Sequence, residues 1–572
     1  MGPNSEVGHA GRPLAHLRWV GADNVAPEVT RAILGPGQPF ELVSDVVLGT
    51  EVCVFANRPR TLRAALELCT DDLLDEPALI SPTRHWSYRQ MRQDIDALAA
   101  LLREQYGVGV GDRVAMVSAN SAEYALLMWA VVSLGAIVTG LNGWWTAAEL
   151  QCGIDLTQPC LVAGDPRRLA RLQLGQLGPN TPVLVIDELL RRATSYRQRA
   201  STPHPAIDED AAAVILFTSG TTGQPKGATL SHGNIINSGL VGQLSGALAA
   251  ATAAGPAAAT GRPATILTNP MFHVSGLVGV FVANTFFRTR LIFASPGRWD
   301  PIEYLRLSEQ HSATTWSGVP THYWRLLRQP DLGDYDLSSL RVIGSGGAAF
   351  PPELVRELHE RLPHVRLNNG YGMSETVGLG TLARGEQFLD APESVGAAQP
   401  TVEVQIRDDA GSVVGENEIG EIVLRSPSTF LGYWANPEAT AECLDGQRWY
   451  RTGDFGRIGG GLLFLHSRRR DLILRGGENV YPVEIENRLV EHPDIDDAAV
   501  IGLDHPELGQ EVKAFVVVRT GASLTPDDVR DWCRRTLAVF KIPTQVEFRE
   551  ALPYTMSGKV LKSELEGEER TR

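Results

Sequence analysis

Ala213-Val-Ile-Leu-Phe-Thr-Ser-Gly-Thr-Thr-Gly-Gln-Pro-Lys-Gly227 passes directly from an apolar run into a stretch crowded with glycine and hydroxyl side chains. The run at 213–217 reads as a short buried strand, and Ser231 can cap a helix further on. In the loop at 218–227, backbone N–H groups can cradle a polyphosphate while Lys226 supplies positive charge. The Gly-x4-Gly-Lys-Ser/Thr spacing of a Walker A loop is absent, and for the segment taken alone a solvated polar loop is the plain alternative. A related pattern recurs downstream. Arg341-Val-Ile343 leads into Gly344-Ser-Gly-Gly-Ala-Ala349, and Pro352 opens a helix whose Leu354, Val355, Leu358 and Leu362 share one face. Strand, glycine turn and helix in this order imply an α/β fold with an open sheet and ligands beyond the C-terminal ends of its strands.

The chain around these motifs has 572 residues, room for three or four packed units at roughly 150 residues each. Lysine and arginine total 52 against 67 acidic residues, a net charge of −15 and the opposite of a nucleic-acid binder's balance. The six cysteines form no Cys-x-x-Cys pair, so they read as buried or incidental thiols in a reducing compartment. No apolar signal core is visible near the N-terminus, and the expected location is cytoplasmic. Residues 124–141 just reach membrane-spanning length, but Gly135 interrupts them and Ile137-Val-Thr139 follows. The stretch reads as a buried helix passing into a buried strand, with no integral membrane segment.

Texture divides the chain. Residues 1–60 lack clear periodicity and read as an N-terminal extension; 61–469 form a large body; 470–572 form a small, mobile α+β domain. Within the last, 511–518 and 545–548 read as strands, and Thr525-Pro-Asp-Asp528 caps a helix carrying Val529, Trp532, Cys533 and Leu537. Residues 247–264 are rich in alanine, glycine and proline and suggest a surface excursion, while 566–572 suggest a frayed charged tail.

Six motifs occur in one order: Thr218 through Gly227, Pro270-Met-Phe-His273, Gly346-Gly-Ala-Ala349, Asn369-Gly-Tyr-Gly-Met-Ser-Glu-Thr376, Tyr450-Arg-Thr-Gly-Asp454 and Pro553-Tyr-Thr-Met-Ser-Gly-Lys559. Together they resemble the adenylate-forming superfamily of acyl-CoA synthetases, peptide-synthetase adenylation domains and firefly-type luciferases. The resemblance covers about residues 80–565 and implies two half-reactions. A carboxylate attacks the α-phosphate of ATP to give acyl-AMP and pyrophosphate, and a thiol then takes the acyl group.

The resemblance also implies roles. Thr218, Ser219, Gly220, Thr221, Thr222, Gly223 and Lys226 would hold the β- and γ-phosphates, and Glu375 would bind Mg²⁺, though a lone glutamate is more often a solvated turn residue. Tyr371 would offer a face to adenine, edged by Asn369 and the backbone of Gly347, Ala348 and Ala349; a core tyrosine is the plain alternative. Gly370, Gly372 and Ser374 belong to the same nucleotide-binding turn, and Asp454 would accept hydrogen bonds from the ribose hydroxyls. Arg468 would reach ribose or phosphate, and Arg470 would be the hinge, where Ser467 departs from the glycine usual in that motif. Gly476 and Gly477 would line a pantetheine tunnel, or simply form a connecting turn. Lys559 would neutralise charge developing on the attacked phosphate.

The resemblance implies that amino-acid-activating relatives carry in this motif an aspartate that pairs with the substrate ammonium; here it reads Phe272-His273-Val274-Ser275, so a free amino acid would lack its counter-charge, and a structural histidine at the pocket wall is the plain alternative. The chain ends 13 residues after Lys559, from which an external thiol acceptor is expected. The resulting expectation is an ATP- and Mg²⁺-dependent acyl-CoA synthetase acting on a non-amino carboxylic acid, a fatty acid by preference, with coenzyme A as acceptor. An acyl-AMP ligase loading a separate carrier protein is the alternative, and an inactive scaffold homologue is a third class.

Overall fold

The computed structural model describes residues 12–13, 27–173, 177–178, 181–197, 204–219, 225–252, 262–346, 350–468, 471, 473–475, 478–505, 508–537, 539–555 and 560–571. Among these, strands form a small N-terminal sheet, two large sheets and a small C-terminal one, an α/β body followed by an α+β unit.

The apolar run at 213–217 lies inside the strand Ala212–Ser219. It pairs in parallel with Ile137–Gly140, beyond which Arg113–Val117, Leu161–Gly164 and Val183–Val185 continue the parallel sheet. The membrane-like stretch resolves as expected into the helix Ala122–Ser133, buried at all but one position, and the buried strand Ile137–Gly140. Gly135 makes the turn between them at φ 69°, a left-handed value that glycine adopts without strain. Among the described residues no helix is long and apolar enough to cross a membrane.

After the glycine loop the structure departs from the expected order. A second strand, Pro225–Ser231, intervenes before the helix and pairs antiparallel with the first, Thr218 opposite Lys226 and Ser219 opposite Pro225. Residues 220–224 lie outside the described ones, but the strands on either side of them pair with each other, so the next element in the chain is a strand and not a helix. The reason is burial: Ala228, Thr229 and Leu230 are enclosed between Ala212–Ser219 and the short strand Gly432–Tyr433. The helix His232–Thr252 starts afterwards, and Ser231 caps it reciprocally: Asn234 N donates to Ser231 Oγ at 3.0 Å and Ser231 N to Asn234 Oδ1 at 2.9 Å.

In the second large sheet, Val342–Gly346 lies parallel to Thr315–Gly318 on one side and Arg366–Tyr371 on the other. The helix Pro352–Arg361 buries Leu354, Val355 and Leu358, with Leu362 buried just past its end. Antiparallel strands continue this sheet through Thr381–Arg384 and Ser394–Ala398 to the pair Tyr450–Gly459 and Leu462–Arg468. The C-terminal unit holds Gly509–Val518 between Ile495–His505 and Gln545–Arg549. Thr525 caps Pro526–Arg534 with Asp528 in a capping box, burying Val529 and Cys533.

Three segments are more ordered than sequence suggests. Residues 42–55 form the hairpin Leu42–Val47 and Thr50–Phe55, whose Phe55 packs into the body beside Val241 and Leu244, and Arg58 pairs with both Asp45 and Glu209. The alanine-rich segment begins inside the helix ending at Thr252, where Leu248 is buried; its residues 253–261 lie outside the described ones. The charged tail forms the helix Lys562–Thr571, because Leu565 is fully buried and the enclosed Lys513 ammonium draws Glu569 to 2.8 Å.

Candidate active site

Glu375 sits in the turn that follows the strand Arg366–Tyr371. A methyl group on Gly372 would lie 2.3 Å from the Gly378 carbonyl oxygen, so the turn can close this tightly only with glycine there. The Glu375 side chain is buried, its backbone carbonyl accepts from Phe430 N at 2.8 Å, and its Oε1 accepts from the Tyr433 hydroxyl at 2.7 Å. Tyr433 lies on the strand that pairs with the glycine hairpin, and the Lys226 ammonium stands 5.1 Å from the centre of its ring. Three distant stretches thus bring a carboxylate, a phenol and an ammonium together. Burial and the neighbouring Glu375 carboxylate push the Tyr433 phenol upward, and burial holds the Cys443 thiol at about 11, so both stay protonated at neutral pH.

A second cluster lies on the neighbouring strands. The Tyr371 hydroxyl donates to Asp454 Oδ2 at 2.8 Å, and both residues are more than nine-tenths buried. Asp454 N donates to Thr452 Oγ1 at 3.0 Å, and Asp454 lies opposite Arg468 in the strand pair. The Tyr371 ring packs in the core with Leu379, Val395 and Leu424. Asn369 is also buried, and its Oδ1 has no hydrogen-bond partner among the described residues; the same holds for Asn368 Oδ1 and Ser345 Oγ on the same pair of strand ends. Orphaned acceptors of this kind are costly unless a ligand or water satisfies them.

His273 opens the short helix Val274–Gly276, which continues as a π-helical turn at Leu277–Val282 and a helix at Ala283–Phe287. Its ring meets Phe272 edge-on at 4.7 Å, and Phe272 meets Trp144 at 4.9 Å. A β-carbon on Gly378 would lie 4.0 Å from Val274 Cγ2, so this helix adjoins the Glu375 turn.

Thr218 is the penultimate residue of its strand and lies opposite Lys226, and Gly370 pairs with Gly346. Ser219 and Arg468 are placed by their strands alone. Gly220, Thr221, Thr222, Gly223, Gly347, Ala348, Ala349, Arg470, Gly476, Gly477 and Lys559 lie outside the described residues. Among the described residues no three His, Cys, Asp or Glu side chains converge as a metal cage. A lone buried carboxylate suits Mg²⁺ only when phosphate oxygens complete the shell, which is how magnesium binds at nucleotide sites. Tyr433 is the site residue that sequence reasoning missed; it sits in Phe430-Leu-Gly-Tyr-Trp434, where nothing local marks it.

The sequence profile described as AMP-binding enzyme matches residues 69–434, and that described as AMP-binding enzyme C-terminal domain matches 484–559. The chain belongs to the AMP-binding enzyme family. This AMP-binding enzyme is 32% identical over 525 residues to the 3-[(3aS,4S,7aS)-7a-methyl-1,5-dioxo-octahydro-1H-inden-4-yl]propanoyl:CoA ligase of Mycobacterium tuberculosis, covering 89% of this chain and 99% of the relative. It is 29% identical over 521 residues to the mitochondrial medium-chain acyl-CoA ligase ACSF2 of Mus musculus, covering 84% and 82% of the two chains. The crystal structure of ATP-bound MatB from Rhodopseudomonas palustris superposes with a TM-score of 0.79 at 31% identity, covering 89% of this chain and 98% of that one. With such relatives, the AMP-binding enzyme falls among the acid–thiol ligases.

Proposed function

We propose that this enzyme is an ATP-dependent acyl-CoA synthetase that activates a non-amino carboxylic acid through an acyl-adenylate. The observation that carries the reading is the convergence of Glu375, Tyr433 and Lys226, a cation-binding carboxylate and a phosphate-binding ammonium held on one phenol. Asp454, fixed by Tyr371, serves the ribose hydroxyls, and the unsatisfied Asn369 Oδ1 suits the exocyclic amine of adenine. Lys226 and the hydroxyls at 218–222 hold the β- and γ-phosphates, while Lys559 meets the charge that develops on the α-phosphate. Glu375 would hold a Mg²⁺ bound with ATP, and that ion would supply charge to screen the triphosphate. The substrate carboxylate oxygen bonds to the α-phosphorus as the bond to pyrophosphate breaks. The thiol of coenzyme A then bonds to the acyl carbon, AMP departs, and the thiol proton passes to solvent.

His273 in place of a carboxylate argues for an acid without an α-ammonium. Residues near 274–278, 317–320 and 378–381 shape the acyl pocket, and their small side chains suit a long or bulky tail, with a fatty acid as the preferred class. The names of the relatives, one a medium-chain ligase and one acting on a fused-ring propanoate, support that range. In this reading residues 61–469 bind the substrates, and 470–572 swing about Arg470 to present first Lys559 and then the Gly476 loop. Assaying AMP release with fatty, aryl, alicyclic and steroid side-chain acids tests the substrate class. Turnover that requires coenzyme A supports the reading, whereas acyl transfer confined to a carrier protein would favour the carrier-loading alternative.

A further inference from the structure

Tyr433 has no part in the motifs, yet it touches both charged groups of the triphosphate end of the site. Its hydroxyl donates to Glu375 Oε1 at 2.7 Å, and its ring face carries the Lys226 ammonium at 5.1 Å. The segment around it is tied down along its length. Phe430 N donates to the Glu375 carbonyl at 2.8 Å, Leu431 N to the Thr229 carbonyl at 2.8 Å, and Trp434 N to the Gly227 carbonyl at 2.7 Å. One strip of chain is thus bonded at one end to the carboxylate's own residue and at the other to the neighbour of the lysine. Tyr433 N donates to Thr440 Oγ1 at 2.9 Å, and Phe430 packs edge-on against the Tyr433 ring at 5.0 Å. Gly432 adopts φ 139°, and a β-carbon there would lie 2.7 Å from Thr440 Cγ2, so the backbone that aims the phenol has little latitude.

We propose that Tyr433 is a positioning residue that fixes the spacing between the cation-binding carboxylate of Glu375 and the phosphate-binding ammonium of Lys226. A hydrogen bond to an ionised carboxylate is directional and sets the plane of that carboxylate. A cation over a ring face is held at a defined height, more strongly where water is excluded. Both groups must meet a single magnesium–triphosphate unit, in which metal and phosphate oxygens stand in fixed relation. One rigid residue touching both removes the freedom that each would otherwise lose on binding.

This inference rests on the reading of Glu375 and Lys226 given above, and ligand binding separates the two. ATP binding to the full-length protein is measured calorimetrically across a Mg²⁺ titration and in EDTA, for the wild type, Tyr433→Phe, Tyr433→Leu and Glu375→Gln. Tyr433→Phe keeps the ring and loses the hydroxyl. It should raise the Mg²⁺ concentration needed for half-maximal tightening by roughly tenfold or more, the scale of one hydrogen bond to a charged group, while affinity in EDTA stays unchanged. Tyr433→Leu should also weaken binding in EDTA, because the lysine loses its platform. A wild-type Mg²⁺ response in Tyr433→Phe beside a shifted one in Glu375→Gln would overturn the positioning role. An unshifted response in Glu375→Gln would overturn the metal reading and this proposal with it.

Discussion

Asp454 illustrates how a site is prepared at the scale of single residues. A buried carboxylate is costly unless donors satisfy it, and here the Tyr371 hydroxyl supplies one at 2.8 Å. Asp454→Ala should raise the KM for ATP by roughly 10- to 100-fold, the scale expected when hydrogen bonds to a charged group are lost, with a smaller effect on kcat. Tyr371→Phe keeps the ring and should cost only several-fold. Initial rates of pyrophosphate release against ATP concentration check both, and an unchanged KM in Asp454→Ala would remove Asp454 from the ribose. Lys226, Glu375 and Asp454 stand out in the sequence as candidates because each lies within a contiguous motif. Tyr433 does not, because its meaning lies in contacts with residues 58 positions upstream and across a sheet.

Elements show where pattern reading succeeds and where tertiary packing overrides it. The helix Ala122–Ser133 and the strand that follows were legible because Gly135 punctuates an otherwise unbroken apolar run. The strand Pro225–Ser231 was not: proline and glycine at its start mimic a loop, and only the flanking strands make it one element of a sheet. A comparable element effect governs the Lys559 segment. Tyr554 pairs with Val560 in an antiparallel bridge, and Leu561 N donates to the Pro553 carbonyl at 2.8 Å, forming a neck on both sides of that segment. The Tyr554 hydroxyl donates to Asp497, and Lys562 pairs with Glu486 at 2.6 Å. Tyr554→Phe should therefore slow acyl-AMP formation several-fold and largely spare transfer from supplied acyl-AMP to the thiol; equal losses in both steps would mean that the neck serves folding alone.

Burial, with help from Glu486 and Asp496, pushes Asp497 up to about 6. Its folded value lies above its unfolded one, so the stability it contributes is present at low pH and is lost as pH rises through about 6. Asp497→Asn, which cannot ionise, should raise the thermal midpoint relative to wild type at pH 8 and by much less at pH 4, close to the ordinary carboxyl value at which the loss begins. A constant difference at both values would remove Asp497 ionisation from the account.

At the scale of the whole molecule, the body and the C-terminal unit touch where the His466 ring lies 5.3 Å from that of Tyr481, and again at Arg328, whose guanidinium lies 3.1 Å from Asp496; Arg519 reaches the same carboxylate at 3.3 Å. Arg328 is more than half exposed, and such a pair contributes only about 0–1 kcal/mol. An ion pair this weak would oppose little the movement proposed above for the C-terminal unit. The order of the six motifs made the family, and with it this architecture, legible from sequence; the pairing of Arg328 with Asp496, 168 positions apart, could come only from the fold. In the proposed mechanism the carboxylate oxygen attacks the α-phosphorus. Turnover of an acid carrying ¹⁸O in its carboxylate, with ATP and coenzyme A, followed by mass spectrometry of the nucleotide product, tests it most directly. AMP should carry one labelled oxygen and pyrophosphate none, with acyl-CoA formed in equal amount. Label in inorganic phosphate with ADP as the nucleotide product would contradict this mechanism.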